Sequence, residues 1–176
     1  MSRLTAIAAT AAIILMNVMA HAESAADLND LQIAHVAYTA DTIDIRYAHL
    51  ALAKSKSPAI HKFARTMIRD HSAVNENALA LLKKLKVSAQ DNFLSRQLNS
   101  KADILVQEMS QLSGANFDRR YANNELAYHQ AVNGLVEATF IPNIENPEVK
   151  SLFEQALAIF KAHEHHAHMM VKSLQD

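Results

Sequence analysis

Turn-forming residues are scarce in this sequence, and their scarcity restricts the fold more than any other feature. Two glycines and three prolines occur among 176 residues, and half of all residues are apolar. A sheet of many strands needs such residues at its turns, whereas a few long helices need only a few connections. Apolar residues also recur at intervals of three and four, which is the spacing of one helix face. The chain is therefore predicted to be all-α.

Four long helices follow from this periodicity, at about 28–55, 58–85, 115–140 and 147–174. Proline is favoured at the first position of a helix, directly after a capping serine or asparagine. This pair of residues opens the second helix at Ser57-Pro58 and the fourth helix at Asn146-Pro147. The starts of these two helices are the best defined in the sequence.

Finer features of the first and third helices are predicted as well. Ser24 or Asp27 is expected to cap the start of the first helix. Gly134 lies inside the third helix, where glycine costs up to about 1 kcal/mol relative to alanine, so a close contact with a neighbouring helix is expected there. The inward face of the first helix is predicted to consist of Leu31, Ala34, Ala37, Tyr38, Ile45, Ala48 and Leu52.

The links between these helices differ in length, and the difference predicts how the helices are arranged. The first and last links are short, so each is expected to join an antiparallel pair. Residues 87–114 form a long link in which Leu98, Ala102 and Leu105 indicate a shorter helix. One long crossover is typical of ferritin-like bundles. The predicted fold is a ferritin-like four-helix bundle with a long crossover that contains an additional short helix.

The first 22 residues have the three parts of a secretory signal peptide. Arg3 supplies the basic start, residues 4–19 are apolar, and residues 20–22 read Ala-His-Ala, the A-x-A pattern of a cleavage site. The apolar run is shorter than the ~20 residues that span a membrane. We expect a cleaved signal peptide over residues 1–22 and one helical domain over residues 23–176. The mature chain is expected to be periplasmic or secreted, without a membrane span.

Composition and motifs exclude several classes of function. The chain carries 17 basic and 18 acidic residues and has no basic stripe of the kind that binds nucleic acid. It contains no cysteine, which removes disulfides and thiol nucleophiles. Neither a glycine-rich phosphate loop nor a Ser-His-Asp signature is present. An enzyme is accordingly the third interpretation, after the metal-binding and structural ones described below, and no catalytic residue is assigned. The sequence does not identify a protein partner.

Each predicted helix has a polar residue on or beside its apolar face near the middle of its length. Mid-length positions of antiparallel helices meet at one height, so these side chains are expected to form one buried layer. Buried carboxylates need a cation, a histidine or a metal ion close by. One carboxylate with three imidazoles suits zinc, copper, manganese or ferrous iron. The predicted metal ligands are Asp44, His71, His129 and His163.

Three further carboxylates lie near this layer, either as alternate ligands or as acceptors that orient an imidazole: Asp41, Asp70 and Glu125. The same layer has a second interpretation without metal, as a hydrogen-bond network that only fixes helix packing. The chain would then be a structural or stress-related interaction protein of the cell envelope. The sequence leaves both interpretations open.

A second histidine-rich feature lies near the end of the fourth helix. His165 and His168 are one helical turn apart and point away from the core face, a spacing that lets two imidazoles share an ion. The preferred interpretation is a solvated, weakly basic patch. Imidazole binds zinc and copper, so adventitious binding is expected whatever the biology.

Two stretches of sequence resemble one family of bacterial proteins. They are residues 63–71, FARTMIRDH, and residues 113–121, SGANFDRRY, with His129 and His163 downstream. This pattern resembles the domain-of-unknown-function 4142 family, whose members are exported and classed as ferritin-like. The resemblance implies fold and compartment but no activity, and the chain has no Glu-x-x-His of the di-iron type. It also implies that the family's polar positions fall on Asp44, Asp70, His71, Asp118, His129 and His163.

Overall fold

A computed structural model of the protein describes residues 23–175, so the predicted signal peptide lies outside the described residues. Within them the chain is all-helical and contains no strand, as predicted. None of the described helices is long and apolar enough to cross a membrane. The main elements are α1 (Asp30–Lys54), α2 (Pro58–Leu85), α3 (Phe93–Ser110), α4 (Gly114–Leu135) and α5 (Pro147–Ser173).

The proline-marked helix starts are where the sequence predicts them. Ser57 caps α2 and Asn146 caps α5, and each is followed by proline at the first helical position. The Asn146 side chain accepts hydrogen bonds from the backbone N–H groups of Glu148 at 2.9 Å and Val149 at 3.2 Å. These bonds satisfy two of the N–H groups that a helix start leaves without partners.

The predicted cap of α1 is wrong. Ser24 caps a separate 3-10 turn, Ala25–Asp27, and Leu28 then adopts an extended conformation that ends this turn. The cap of α1 is Asn29, whose side chain accepts from the N–H groups of Leu31 and Gln32, both at 3.0 Å. The chain therefore has two consecutive N-terminal caps where sequence reasoning expects one.

The order of contacts along the helices defines their directions. A link of three residues reverses the chain between α1 and α2, and α3 then runs beside α1 in the same direction. His35 meets Ser95 near the start of both helices, at 2.8 Å, and Arg46 meets Asp103 further along, at 2.7 Å. With 18 residues, α3 is about 27 Å long, so it carries the chain back from one end of the molecule to the other.

The last two helices form the second antiparallel pair. Asn133, near the end of α4, donates to Glu164 Oε2 of α5 at 2.8 Å, and Glu137, four residues later, meets Lys161, three residues earlier on α5, at 2.6 Å. The end of α4 widens into a π turn, Val136–Phe140, which ends two residues before Pro142. Proline has no N–H to donate and its ring crowds the preceding turn, which explains why the regular helix ends here.

Two apolar clusters make up the core, one at each end of the helices. The cluster near the α1–α2 link includes Tyr47, Met67 and Phe117, and the cluster at the opposite end includes Ile33 and Phe153. A layer of buried polar residues lies between them, at the middle of the helices. The packing of the long helices therefore sets the position of this polar layer.

The predicted inward face of α1 is wrong at one position and incomplete at others, although Ala34 and Ala48 are buried as predicted. Tyr38 is exposed, whereas Ile33, Val36 and Ile43 are almost fully buried. The reason is that α1 contacts α2, α3 and α4, so it buries much more of its circumference than one stripe. A helix covered on several sides is apolar nearly all round, and its sequence does not define one face. The stripes of α2 and α5 agree closely with their buried residues.

The close contact expected at Gly134 is also absent. A Cβ atom placed on this residue would meet no other atom within 4 Å. Gly134 is exposed and lines a surface groove between α4 and α5. The other glycine, Gly114, has a backbone φ of +54°, a conformation that a residue with a side chain rarely adopts.

Candidate metal centre

The polar layer is built from the middle of four helices. It contains two carboxylates from α1, one histidine from α2, a carboxylate and a histidine from α4, and one histidine from α5. Because these helices are antiparallel neighbours, their middle turns meet at one height, and all six side chains are buried. They are Asp41, Asp44, His71, Glu125, His129 and His163.

The three imidazole rings of this layer are in mutual proximity. The ring centres of His71 and His163 are 5.3 Å apart, those of His129 and His163 are 5.6 Å apart, and those of His71 and His129 are 5.7 Å apart. One ring nitrogen from each histidine lies within 4.8 Å of a nitrogen of the other two. Three imidazole nitrogens from three different helices therefore surround one small volume.

Each of these imidazoles has one nitrogen fixed by an acceptor. Nδ1 of His71 donates to Asp41 Oδ1 at 2.7 Å, and Nε2 of His163 donates to Asp70 Oδ2 at 3.0 Å. Nδ1 of His129 donates to the backbone carbonyl of Glu125, one turn earlier, at 2.9 Å. A neutral imidazole carries one N–H, so these bonds place the lone pair of His129 and His163 on the other nitrogen, and that of His71 on Nε2 once this ring has lost its second proton.

The remaining nitrogens have no hydrogen-bond partner among the described residues. They are Nε2 of His71, Nε2 of His129 and Nδ1 of His163, all inaccessible to solvent. A buried polar atom without a partner costs about 1–3 kcal/mol, so three such atoms in one place call for an explanation. A metal ion supplies one, because a ligating histidine usually has its second nitrogen held by a carboxylate or a carbonyl, as these have.

Asp44 completes the set. Its side chain is fully buried, and neither oxygen has a hydrogen-bond partner within the described part of the chain. Its Oδ2 lies 3.2 Å from His71 Nε2 and 3.4 Å from His129 Nε2, close to both but not aligned for a hydrogen bond. Ligand atoms on a tetrahedral ion with bonds of ~2.0–2.1 Å are about 3.3–3.4 Å apart. The spacing of these atoms fits one shared ion.

The charges of the layer support the same arrangement. Burial alone would lower the pKa of His71, but the Asp44 charge and the hydrogen bond to Asp41 outweigh it and raise this pKa to about 10. Burial likewise opposes ionisation of Asp44, yet the charge of His71 holds the pKa of its carboxyl below the ordinary value. Asp44 is thus an anion, and without an ion present the proton on His71 balances it.

The other two histidines are neutral. Burial lowers the pKa of His163 to about 4, even though Asp70 acts in the opposite direction. Burial also lowers the pKa of His129. Metal ligation requires the unprotonated imidazole, so both rings are ready to bind at neutral pH.

Glu125 extends the layer on the side of Asp44 and His129. One atom from each of these three residues lies within 4.8 Å of the others, and both Glu125 oxygens have no partner among the described residues. Burial, and then the Asp44 charge, raise the pKa of Glu125 well above its ordinary value. Glu125 is therefore much harder to ionise than Asp44 beside it.

Comparison with known proteins identifies a family but no activity. The model of a family described as a domain of unknown function, DUF4142, matches residues 16–170. The chain belongs to this family. This confirms the resemblance that the sequence motifs indicate. No curated protein and no solved structure matches the chain. The function of this DUF4142 member therefore has to be inferred from its site.

The structure brings one nitrogen each of His71, His129 and His163 within 4.8 Å of one another, and it places Asp44 against His71 and His129. It also gives each of the three alternate residues a place. Asp41 and Asp70 each hold the second nitrogen of a histidine, and Glu125 lies beside Asp44. Asp118, which the family resemblance implies, precedes His129 by eleven residues on α4. That separation is about 16 Å along the helix, so Asp118 is not part of this layer.

The two surface histidines are separate from the buried layer. His165 and His168 are exposed and line a groove between α4 and α5, together with Glu137 and Glu164. They are therefore solvated, as the sequence predicts.

Sequence reasoning missed two residues that position the site. The ring of Phe160 stacks on the imidazole of His71, with centres 4.5 Å apart and planes 12° apart. Arg69 donates to both oxygens of Asp70, at 2.6 and 3.0 Å, and so holds the carboxylate that orients His163. Arg69 directly precedes Asp70 and His71 in the family motif, and this adjacency is the signal that could have identified it.

Proposed function

We propose that this DUF4142 protein binds one divalent or copper ion through Asp44, His71, His129 and His163. The observation that supports this best is a group of buried nitrogen and oxygen atoms that have no hydrogen-bond partner and could each bind a metal ion. They are Nε2 of His71 and His129, Nδ1 of His163, and both oxygens of Asp44. Hydrogen bonds already occupy the second nitrogen of every histidine, so the free atoms are the ones directed at a common ligand.

The ligand set favours binding over catalysis. Catalytic zinc sites keep one coordination position open for water or substrate, whereas structural sites are closed by four protein ligands. Three imidazoles and one carboxylate fill a tetrahedron without such a position. Zinc is the first ion to test, and copper, manganese and ferrous iron also accept these ligands.

The fold and location of the protein belong to the same proposal. The antiparallel pairs α1–α2 and α4–α5, joined by α3 running from end to end, support a ferritin-like four-helix bundle with a crossover helix. Residues 1–22 support export to the periplasm or beyond the cell. The protein would then bind its ion in the cell envelope.

The structural alternative is supported by one specific observation. Each histidine already has an acceptor within the protein, and the charged pair of His71 and Asp44 is neutral overall. In this alternative the layer fixes helix packing and never binds metal. His71→Leu separates the two. An apolar residue in a purely structural layer keeps or raises stability, since buried ion pairs are often no more stabilising than packed apolar side chains.

The test is a zinc titration of the chain, purified without a histidine tag and freed of metal by a chelator. We expect one tightly bound ion per chain by calorimetry and elemental analysis, and loss of this ion in His71→Ala and His163→Ala. His165→Ala/His168→Ala is the matched control, because it removes two histidines of the same protein without touching the layer. If the control loses the ion and the layer variants keep it, the proposal is wrong.

A further inference from the structure

A cavity of about 130 Å³ lies between α1, α2, α4 and α5, in the half of the core that contains Phe140 and Phe153. Alanines at facing positions of these helices create the space, among them Ala40 on α1 and Ala156 on α5. Protein interiors are close-packed and rarely contain voids much larger than a water molecule. A void of this size in a natural core therefore calls for an explanation.

The lining of the cavity defines the chemistry of any ligand. Every lining residue is alanine, valine, leucine or phenylalanine, except Asp41. The Asp41 carboxylate is already engaged with His71. A buried water needs two to four polar partners, and the cavity walls do not offer them. Water is therefore a poor occupant, and an uncharged apolar molecule is a good one.

The volume of the cavity limits the size of its occupant. An engineered apolar cavity of about 150 Å³ in another protein stays dry and binds benzene or xenon. We propose that this cavity binds a small uncharged molecule of benzene's size, either a single aromatic ring or a short alkyl chain. The proposed ligand differs in chemistry from the metal ion, and its binding does not depend on the ion.

The cavity also adjoins the polar layer. Asp41 and Phe160 both line the cavity, and both contact His71, the first by a hydrogen bond and the second by ring stacking. A molecule in the cavity would lie against the outer side of Phe160. Binding should therefore be detectable at the His71 ring as well as at the apolar walls.

The test is a titration of the ion-free chain with benzene, followed by NMR of the side-chain methyl groups. We expect saturable shifts for Val36, Leu82 and Leu157, which line the cavity, and none for Ile60, which lies in the other apolar cluster. Absence of a saturable shift in the parent protein would overturn the proposal.

Filling the cavity gives a second, independent result. Ala156→Leu places a larger side chain in the cavity, and we expect it to abolish the benzene shifts while zinc stoichiometry stays unchanged. Ala158→Leu is the matched control, since it makes the same change two residues later on the exposed side of α5 and should bind benzene like the parent. Ala40→Ile repeats the test from α1 if Ala156→Leu does not fold. Equal benzene binding by the filled variant and the parent would place the ligand elsewhere and contradict the proposal.

Discussion

Helix α5 carries two kinds of histidine only two residues apart. His163 is buried, its Nε2 is held by Asp70 at 3.0 Å, and its ring lies 5.3 Å from that of His71 and 5.6 Å from that of His129. His165 and His168 are exposed on the groove between α4 and α5. Both groups can bind a cation in principle. They differ in how far the folded protein fixes the histidine side chains before an ion binds.

The difference shows what folding contributes to such a site. In the buried layer, packing and hydrogen bonds have already fixed the rotamer and tautomer of each ring, so ordering the side chains costs little when an ion binds. The surface pair must be ordered by the ion itself, in competition with water. We therefore expect tight, stoichiometric binding in the layer and weak, adventitious binding on the surface.

Removal of a ligand should have the largest effect. Loss of a residue that only orients a ligand typically lowers metal affinity by about 10–100-fold, so loss of a ligand itself should exceed about 100-fold. We expect this for Asp44→Ala and His129→Ala in zinc titrations. The double variant His165→Ala/His168→Ala should change the affinity of the tight site by less than about twofold. Comparable losses in both groups would remove the distinction between them.

Removal of an orienting carboxylate should have an intermediate effect. Asp41→Asn keeps an oxygen that accepts from His71 Nδ1 but removes the negative charge. We expect zinc affinity to fall by about 10-fold, within the range for such partners, without a change in stoichiometry. Competition with a chelator of known affinity measures this. An affinity equal to that of the parent would mean that Asp41 does not act through His71.

The stability of the ion-free protein and its affinity for zinc should depend on pH in opposite directions. The pKa of His71 is raised to about 10, above its ordinary value near 6.5. Its protonated form therefore stabilises the ion-free fold fully below pH ~6.5, and this contribution is lost as the pH rises towards 10. Thermal unfolding of ion-free protein should reveal the decline.

Zinc affinity should rise as the pH rises over the same range, because the ion must displace the extra proton from His71. We expect affinity to rise by up to about tenfold per pH unit between pH 7 and 10, with release of about one proton for each ion bound. Calorimetry in buffers of different ionisation enthalpy measures the released protons. No proton release at pH 8 would show that His71 is not a ligand.

The smallest expected effect concerns the surface groove. A Cβ atom on Gly134 meets open space, and glycine inside a helix costs up to about 1 kcal/mol relative to alanine. Gly134→Ala should therefore raise the free energy of unfolding by up to about 1 kcal/mol. Zinc affinity should not change. A destabilised variant would contradict the open space found at Gly134.

Much of this fold follows from the sequence, and the exceptions have physical causes. Helices α2 and α5 each face the core on one side, so their stripes predict their buried residues and place His71 and His163 correctly. Helix α1 contacts three neighbours, so its stripe cannot be phased, and Asp44 is more deeply buried than Asp41 although the pattern suggests the reverse. When a helix packs on several sides, its sequence does not show which face is most deeply buried.

The candidate site is likewise predictable from the sequence only in part. One polar residue near the middle of each helix is enough to predict that His71, His129 and His163 lie together, with Asp44 against two of them. The choice of free nitrogen is not predictable, because it depends on acceptors such as Asp70, itself held by Arg69, that only the folded chain brings into place. The cavity is a further case, since its alanines lie on separate helices and no local pattern marks them.

The most direct test of the central claim is X-ray absorption spectroscopy at the zinc edge, on protein loaded with one equivalent of zinc. We expect about four nitrogen and oxygen neighbours at ~2.0–2.1 Å, with the outer-shell scattering of three imidazoles. In His163→Ala the signal should fall to two imidazoles or the ion should be lost. A spectrum with no imidazole scattering, or one that His163→Ala leaves unchanged while His165→Ala/His168→Ala alters it, would contradict the proposed site.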